Sequence, residues 1–208
     1  MAKTTRKRRN FSSFDQSAAF KELGVEKLLR WDLKFKPIEP SKFYGERMRR
    51  MERFALTNSE RSKELLIDAI CEEVIQRHPK LKIWKGALVQ SDDLTGIVDY
   101  ILAPDRAYLD TPLLCVVEAK KDDFEQGMAQ CLVEMKACRW RNEQDGFRGD
   151  IFGIVSNGEA WRYYKFTLRG KVYESTVYAI GETSNVLGSL HSVFSECERH
   201  NKQVGLLK

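Results

Sequence analysis

The stretch of sequence that decides the fold spans residues 96–120 and reads GIVDYILAPDRAYLDTPLLCVVEAK. It contains two apolar runs, residues 96–102 and residues 113–119, separated by a polar segment with two prolines. Apolar runs of this length that are bounded by proline and aspartate are typical of buried β-strands joined by a turn. We therefore predict two neighbouring strands here, paired as a hairpin.

Each predicted strand carries an acid: Asp99 lies in the first run and Glu118 in the second, with Lys120 two residues further on. Side chains two residues apart on a strand point to the same face, so Glu118 and Lys120 share one. If the hairpin turns near residues 106–110, Asp99 lies roughly opposite residues 116–118. Isolated charges are costly to bury unless they are paired or bind a metal. We therefore predict that these three ionisable groups converge at one site.

The segments on both sides of this hairpin carry helix and strand patterns. Apolar residues at helical spacing predict helices over residues 60–77 and 121–140. Further short apolar runs predict strands, and a helical pattern closes the chain; the ranges are 81–90, 151–156, 161–168 and 172–180 for strands and 185–200 for the helix. This order of elements predicts an α/β fold with a sheet flanked by helices.

Two additions are predicted to precede the main domain of residues 57–208. Five of the first ten residues are basic and none is acidic, and they account for the whole net charge of +5. We predict that residues 1–10 form a basic disordered arm, which either adds phosphate contacts or only solubilises the protein. Residues 11–56 are predicted to be a helical extension. A predicted helix over 42–55 has either a solvated basic face or a surface for nucleic acid, formed by Arg47, Arg49, Arg50 and Arg53.

The cysteines and the hydropathy pattern predict a compartment. The five cysteines are odd in number and scattered, and no Cys or His pair has the spacing of a zinc site. No stretch resembles a signal peptide, and no apolar run approaches the roughly 20 residues that span a bilayer. We expect a cytoplasmic protein with reduced, buried thiols and no membrane contact.

The motifs GIVDY, which contains Asp99, and VVEAK, which contains Glu118 and Lys120, resemble the PD-(D/E)xK superfamily of restriction-endonuclease-like nucleases. The chain is also similar to an uncharacterised bacterial group within that superfamily. The resemblance covers about residues 60–156. It implies a restriction-endonuclease-like core with a central mixed sheet of four to six strands flanked by helices, so residues 57–208 would form a nuclease-like domain.

The resemblance also implies roles for the three charged residues. Asp99 and Glu118 would ligate a divalent metal, Mg²⁺ with Mn²⁺ as a substitute, together with a backbone carbonyl such as that of Ala119. Lys120 would orient or activate the attacking water. Magnesium bound by carboxylates stabilises the charge that builds on a phosphate during hydrolysis, and it favours few carboxylates and several waters.

Two further residues are expected from the resemblance. Many members have a glutamate on the first helix, for which Glu64 is our choice, with Glu60, Asp68 and Glu72 as alternatives. Many also have a glutamine on the helix after the lysine, often as QxxxY. Gln130 fits that position and Gln126 is the alternative.

The chain departs from the family pattern at two positions. Val98 precedes the aspartate where proline is usual, which affects no chemical group. Glu134 stands where the helix motif has tyrosine, which weakens that motif. Without the resemblance, Glu118 and Lys120 would be interpreted as an ordinary ion pair at a sheet edge, and Asp99 as a turn cap.

The function implied is a metal-dependent nuclease that hydrolyses phosphodiester bonds in nucleic acid, with DNA favoured over RNA. Nucleases of this kind that cut two strands are often homodimers, so a homodimer is a further expectation. An alternative is a non-catalytic nucleic-acid-binding or assembly subunit that keeps the nuclease fold, because a fold alone does not fix an activity. A scaffold whose basic segments contact a protein partner is a third hypothesis.

Overall fold

A computed structural model of the protein describes residues 7–56, 59–120 and 123–205. The strands are β1 Arg9–Asn10, β2 Leu29–Arg30, β3 Leu81–Gln90, β4 Leu94–Pro104, β5 Cys115–Ala119, β6 Ile151–Ser156, β7 Ala160–Phe166, β8 Val172–Glu174 and β9 Tyr178–Ala179. The helices are α1 Gln16–Leu23, α2 Lys42–Met51, α3 Glu60–Ile75, α4 Phe124–Gln144 and α5 Thr183–Gly205, and short 3₁₀ turns cover Phe11–Ser13 and Ile180–Glu182.

All nine strands join one mixed sheet. Its centre has the order β3-β4-β5-β6-β7, in which only β5 and β6 are parallel. A parallel pair needs a crossover connection, and α4 provides it. The α/β class and the mixed sheet flanked by helices are confirmed. The sheet has more strands than the four to six predicted, because the two-residue strands β1 and β2 extend it and the strand predicted over residues 172–180 is divided into β8 and β9.

Helices cover both faces of the sheet and bury a core on each. On one face α3 and α5 pack against residues such as Tyr100, Val117 and Trp161. On the other face α4 packs with the segment around Phe11 and Phe14. Most of α4 between Gly127 and Cys138 is buried, because it lies between the sheet and the N-terminal segment, and two of its polar side chains there, Gln130 and Glu134, are buried as well.

The crossover helix approaches the sheet closely at one glycine. A Cβ at Gly153 on β6 would lie 2.5 Å from the sulfur of Met135 and 2.6 Å from that of Cys131. The helix begins where the Asp123 side chain accepts a hydrogen bond of 2.8 Å from the Gln126 N–H. The cap and the glycine together fix where α4 starts and how near it lies to β5 and β6.

One predicted strand, over residues 172–180, is divided in two by a serine. The Ser175 hydroxyl accepts a 3.0 Å hydrogen bond from the Tyr163 N–H, and the Ser175 N–H donates to the Tyr163 carbonyl at 2.9 Å. The side chain thus replaces a backbone acceptor, and the chain leaves the sheet between β8 and β9. Strands β3 and β6 have the predicted bounds.

The segments before residue 57 contribute to both layers. Lys3 and Arg6 lie outside the described residues. Arg9 and Asn10, at the end of the segment predicted as a disordered arm, pair in parallel with Leu94 and Thr95 of β4. Phe11 beyond them is 1% exposed. The described end of this segment is therefore an edge strand, which the burial of Phe11 holds in place.

Two general properties follow from the described residues. All five cysteines are buried and free. No helix in the described ranges combines the length and the apolar character needed to cross a membrane.

Candidate functional site

The candidate site lies where one edge of β4 changes partner. β3 occupies one edge of β4 from end to end. On the other edge, β1 pairs with residues 94–95 and β5 pairs with residues 100–102. Between them residues 96–99 face no strand in the described part of the chain. Asp99 is the last residue of this interval and lies next to the end of the β4–β5 ladder.

The Asp99 side chain supplies a hydrogen bond to β5 at the point where the backbone ladder between β4 and β5 ends. The last registered pair is Tyr100 with Val117, so Asp99 is one step beyond it, opposite Glu118. Its Oδ2 accepts a hydrogen bond of 2.8 Å from the Ala119 N–H. The carboxylate therefore holds the end of β5 to β4, and the same bond fixes its orientation.

Glu118 and Lys120 form a pair with unequal access to water. Glu118 Oε1 lies 2.7 Å from Lys120 Nζ, and the side chains are 1% and 17% exposed, respectively. The Glu118 carboxylate is therefore almost completely buried. Such burial is costly for the ionised form, because the protein interior solvates a charge poorly.

Helix α4 adds an amide and a third acid. Lys120 Nζ donates to Gln130 Oε1 at 3.5 Å, and Gln130 Nε2 donates to Glu134 Oε1 at 3.0 Å. Glu134 is fully buried, and its carboxyl group interacts directly with that of Glu118. The side chains of Glu118, Lys120, Gln130 and Glu134 thus contact one another in a closed ring.

The two glutamates therefore titrate abnormally. Burial, reinforced by the nearby Asp99 carboxylate and opposed by Lys120, raises the pKa of Glu118 to about 8. Burial and then the Glu118 carboxylate raise the pKa of Glu134 well above its ordinary value. Both shifts favour the protonated forms of the two glutamates.

Glu64, the acid that we expected from the first helix, pairs with a lysine of β3. Glu64 Oε2 is 3.3 Å from Lys85 Nζ, which is also 2.9 Å from Asp68. Lys85 is the β3 partner of Tyr100, a residue of the α3-side core. The structure thus pairs Glu64 with Lys85, whereas Glu118 and Lys120 contact α4.

The remaining alternatives also have other partners. Glu72 forms an ion pair with Arg47, and the side chain of Glu60 lies outside the described residues. Gln126 donates from Nε2 to the carbonyls of Ser12 and Phe14, so it binds the N-terminal segment. Gln130 is therefore the glutamine that contacts Lys120.

Sequence reasoning missed two contributors on α4. A Cβ at Gly127 would lie 2.8 Å from Lys120 Cγ and from Val155 Cγ1, so this glycine lets the helix cover the lysine stem. Glu134 is visible in the sequence as an acid four residues after Gln130, but we interpreted it only as a departure from the family motif. For Gly127 the sequence offers no comparable signal, because the close approach exists only in three dimensions.

The oxygen donors at this point of the fold are the carboxylates of Asp99 and Glu118 and backbone carbonyls such as that of Ala119. Among the described residues, no three side chains of the His, Cys, Asp or Glu types gather closely enough to hold a metal ion. Magnesium is often bound by one or two carboxylates plus waters, so these are the groups that could hold one.

Comparison with models of known protein families and with curated proteins finds no match to this sequence. The function must therefore be argued from the residues and their geometry.

Proposed function

We propose that this protein is a metal-dependent nuclease that hydrolyses phosphodiester bonds in nucleic acid, with DNA favoured over RNA, on a restriction-endonuclease-like core. The observation that carries the proposal is the convergence of Asp99, Glu118 and Lys120 at the point where the central strands β4 and β5 separate. The mixed sheet with helices on both faces is compatible with such a core.

Each residue has a definite task in this proposal. Asp99 and Glu118 would hold Mg²⁺ or Mn²⁺, and Asp99 is already oriented by the Ala119 N–H. The bound cation would offset the charge that develops on the phosphate and make its water a better nucleophile. Lys120 is a point charge that can donate to the attacking water or to a phosphate oxygen. Gln130 keeps the Lys120 ammonium near Glu118 by accepting its hydrogen bond.

A cleavage assay with matched variants tests the proposal. Single- and double-stranded DNA and RNA are incubated with the protein in Mg²⁺, in Mn²⁺ and in EDTA. We expect metal-dependent cleavage that falls by about 100-fold or more in Asp99→Asn and Lys120→Ala, because each removes a group acting on the reacting atoms. Asp68→Asn is the control, since Asp68 pairs with Lys85 instead. Cleavage that persists in EDTA, or that survives Asp99→Asn, contradicts the proposal.

The non-catalytic alternative is supported by one contact. The Lys120 ammonium is bound by Glu118, the carboxylate that would hold the cation, so the pair is already satisfied in part without a metal. A binding or assembly subunit could keep this pair for stability alone. Nucleic-acid binding without cleavage in any metal would favour this alternative. Light scattering on the same samples would show whether the active species is the homodimer we expect.

A further inference from the structure

The N-terminal segment of residues 8–14 is anchored at two places that flank the candidate site. At one end the Arg9 N–H donates to the Asp93 carbonyl at 2.8 Å, and Arg8 Nε donates to the Ser91 carbonyl at 2.7 Å. Ser91 and Asp93 belong to the turn between β3 and β4. This end of the segment is therefore attached to the strand that carries Asp99.

At the other end the segment is attached to the helix that follows Lys120. Gln126 Nε2, in the first turn of α4, donates to the carbonyls of Ser12 and Phe14 at 3.2 and 3.1 Å. Between the two anchors, the Phe11 ring packs on Gly96, where a Cβ would come within 2.5 Å of Phe11 Cδ2. The segment thus follows the β4 edge from the turn towards Asp99 and forms one border of the candidate site.

The end of this segment at the β3–β4 turn carries consecutive, exposed positive charges. Lys7, Arg8 and Arg9 are all exposed, and Arg9 is in register with Leu94, five residues before Asp99. The Arg9 guanidinium lies 3.6 Å from the centre of the Phe14 ring, and its Nη2 donates to the Ser13 carbonyl at 2.8 Å. A guanidinium has five N–H donors, so these contacts leave several of them for a ligand. Arg8 and Arg9 are thus held in place before any ligand arrives.

Two of the acids beside this segment are partly offset by partners, and Asp92, between Ser91 and Asp93, is exposed. The Asp93 carboxylate accepts a hydrogen bond from Ser91 at 3.0 Å and lies 3.8 Å from Lys136 Nζ. The Asp15 carboxylate caps α1 by accepting from the Ala18 N–H at 2.7 Å. The three cations are thus the part of the border that is available to a partner, and the chemistry they fit is a linear polyanion.

We propose that residues 7–9 bind the phosphodiester backbone of the substrate and align it with Asp99, Glu118 and Lys120. This inference deepens the proposed nuclease function, since it names the part of the chain that positions the nucleic acid. Phosphate contacts by Lys and Arg fix the register of a nucleic acid and release its counterions. An anchored basic segment beside the site can supply both, whereas an unattached tail would only raise the local concentration of nucleic acid.

The test measures binding without cleavage. A labelled duplex is titrated with the full-length protein in EDTA, and fluorescence anisotropy gives the affinity at several salt concentrations. In Lys7→Gln/Arg8→Gln we expect the slope of log affinity against log salt to decrease by about 1 to 2, at about 0.9 per phosphate contact on a duplex. In Lys7→Arg/Arg8→Lys, which keeps both charges, we expect the wild-type slope.

A second charge pair gives the matched control. Arg169 and Lys171 lie in the turn after β7, next to the start of β6 at Ile151, and thus at the opposite end of the sheet from Ser156 and Lys120. Arg169→Gln/Lys171→Gln removes the same charge and should leave the slope unchanged. Circular dichroism and thermal unfolding of each variant show that it is folded.

Three results would overturn the inference: no binding by the wild-type protein at low salt, an unchanged slope in Lys7→Gln/Arg8→Gln, or an equal decrease in the Arg169 and Lys171 control. Its failure is distinct from that of the nuclease proposal, because the measurement uses no metal and no cleavage. A localised change in slope without cleavage in any metal would support the backbone-binding segment and reject the enzyme. Cleavage with an unchanged slope would support the enzyme and reject the backbone-binding segment.

Discussion

At the scale of single residues, Glu118 combines deep burial with a charged partner. It is 1% exposed, and one of its oxygens is bound by Lys120. Its pKa of about 8 arises first from burial and then from Asp99. A carboxyl group kept in this state is well suited to exchange a proton for a cation.

The raised pKa predicts how the stability of the cation-free protein depends on pH. The folded state binds a proton on Glu118 more tightly than the unfolded state does, so its contribution to stability is fully present below about pH 4.5 and is lost as pH rises through about 8. Urea unfolding in EDTA should therefore show a smaller loss of stability over this window in Glu118→Gln than in the wild type. Removing the Glu118 carboxylate also removes one cause of the raised pKa of Glu134, which reduces the same loss further. Parallel pH profiles would therefore contradict the assignment.

Gly127 provides a test that leaves every polar group in place. Its substitution by alanine would put a Cβ 2.8 Å from Lys120 Cγ and from Val155 Cγ1, so the lysine stem or the helix must move. We expect a loss of about 1–3 kcal/mol in stability from overpacking, and a loss of cleavage in protein that is still folded. Gly181→Ala is the control, since no atom lies within 4 Å of its Cβ position. Full cleavage in a folded Gly127→Ala protein would show that Lys120 tolerates displacement.

The sequence revealed some of these residues and not others for a physical reason. Asp99, Glu118 and Lys120 could be named in advance because a charge in an apolar strand is visible in one dimension. Glu64 was chosen from its place on a helix, but the sequence does not show that Lys85 lies across from it on β3. Glu134 and Gly127 depend on how α4 is seated on the sheet, which no local pattern records.

At the scale of elements, β4 determines the shape of the site. No described strand lies beside residues 96–99 on this edge of β4, because β5 diverges from β4 at Asp99. The N-terminal segment packs beside these residues. Strands β3 and β6 were predicted with their observed bounds. β6 is a nearly continuous apolar run, and β3 lies between the His78-Pro79 helix end and the turn of residues 91–95. Strands of two residues, such as β1 and β2, are too short to carry a pattern and are defined by their partners.

Gly96→Ala tests the contact that holds the N-terminal segment. The added Cβ would lie 2.5 Å from Phe11 Cδ2, so the ring must leave its site. We expect a destabilisation of about 1–3 kcal/mol and faster amide hydrogen exchange over residues 8–14 than elsewhere. Gly45→Ala, with no atom within 4 Å of its Cβ position in α2, should instead be neutral or stabilising. Unchanged exchange over residues 8–14 would mean that the segment does not depend on this contact.

At the scale of the whole molecule, the sheet separates two cores and the site lies at its margin. The α3 side contains Tyr100 and Val117, and the α4 side contains Val116 and Val155. The overall class could be predicted because alternating helix and strand patterns are a property of the whole chain. The width of the sheet could not, since it depends on short segments that add to its edges through backbone hydrogen bonds alone.

The most direct test of the central claim is the binding of Mn²⁺ or Mg²⁺ to the free protein, measured by isothermal titration calorimetry. A cation that binds only the folded state should also stabilise it, by about 2.7 kcal/mol at 100 times the dissociation constant. We predict one binding site that is lost in Asp99→Asn and in Glu118→Gln and is kept in Asp68→Asn. Equal binding by all four proteins, or none by the wild type, would contradict the account.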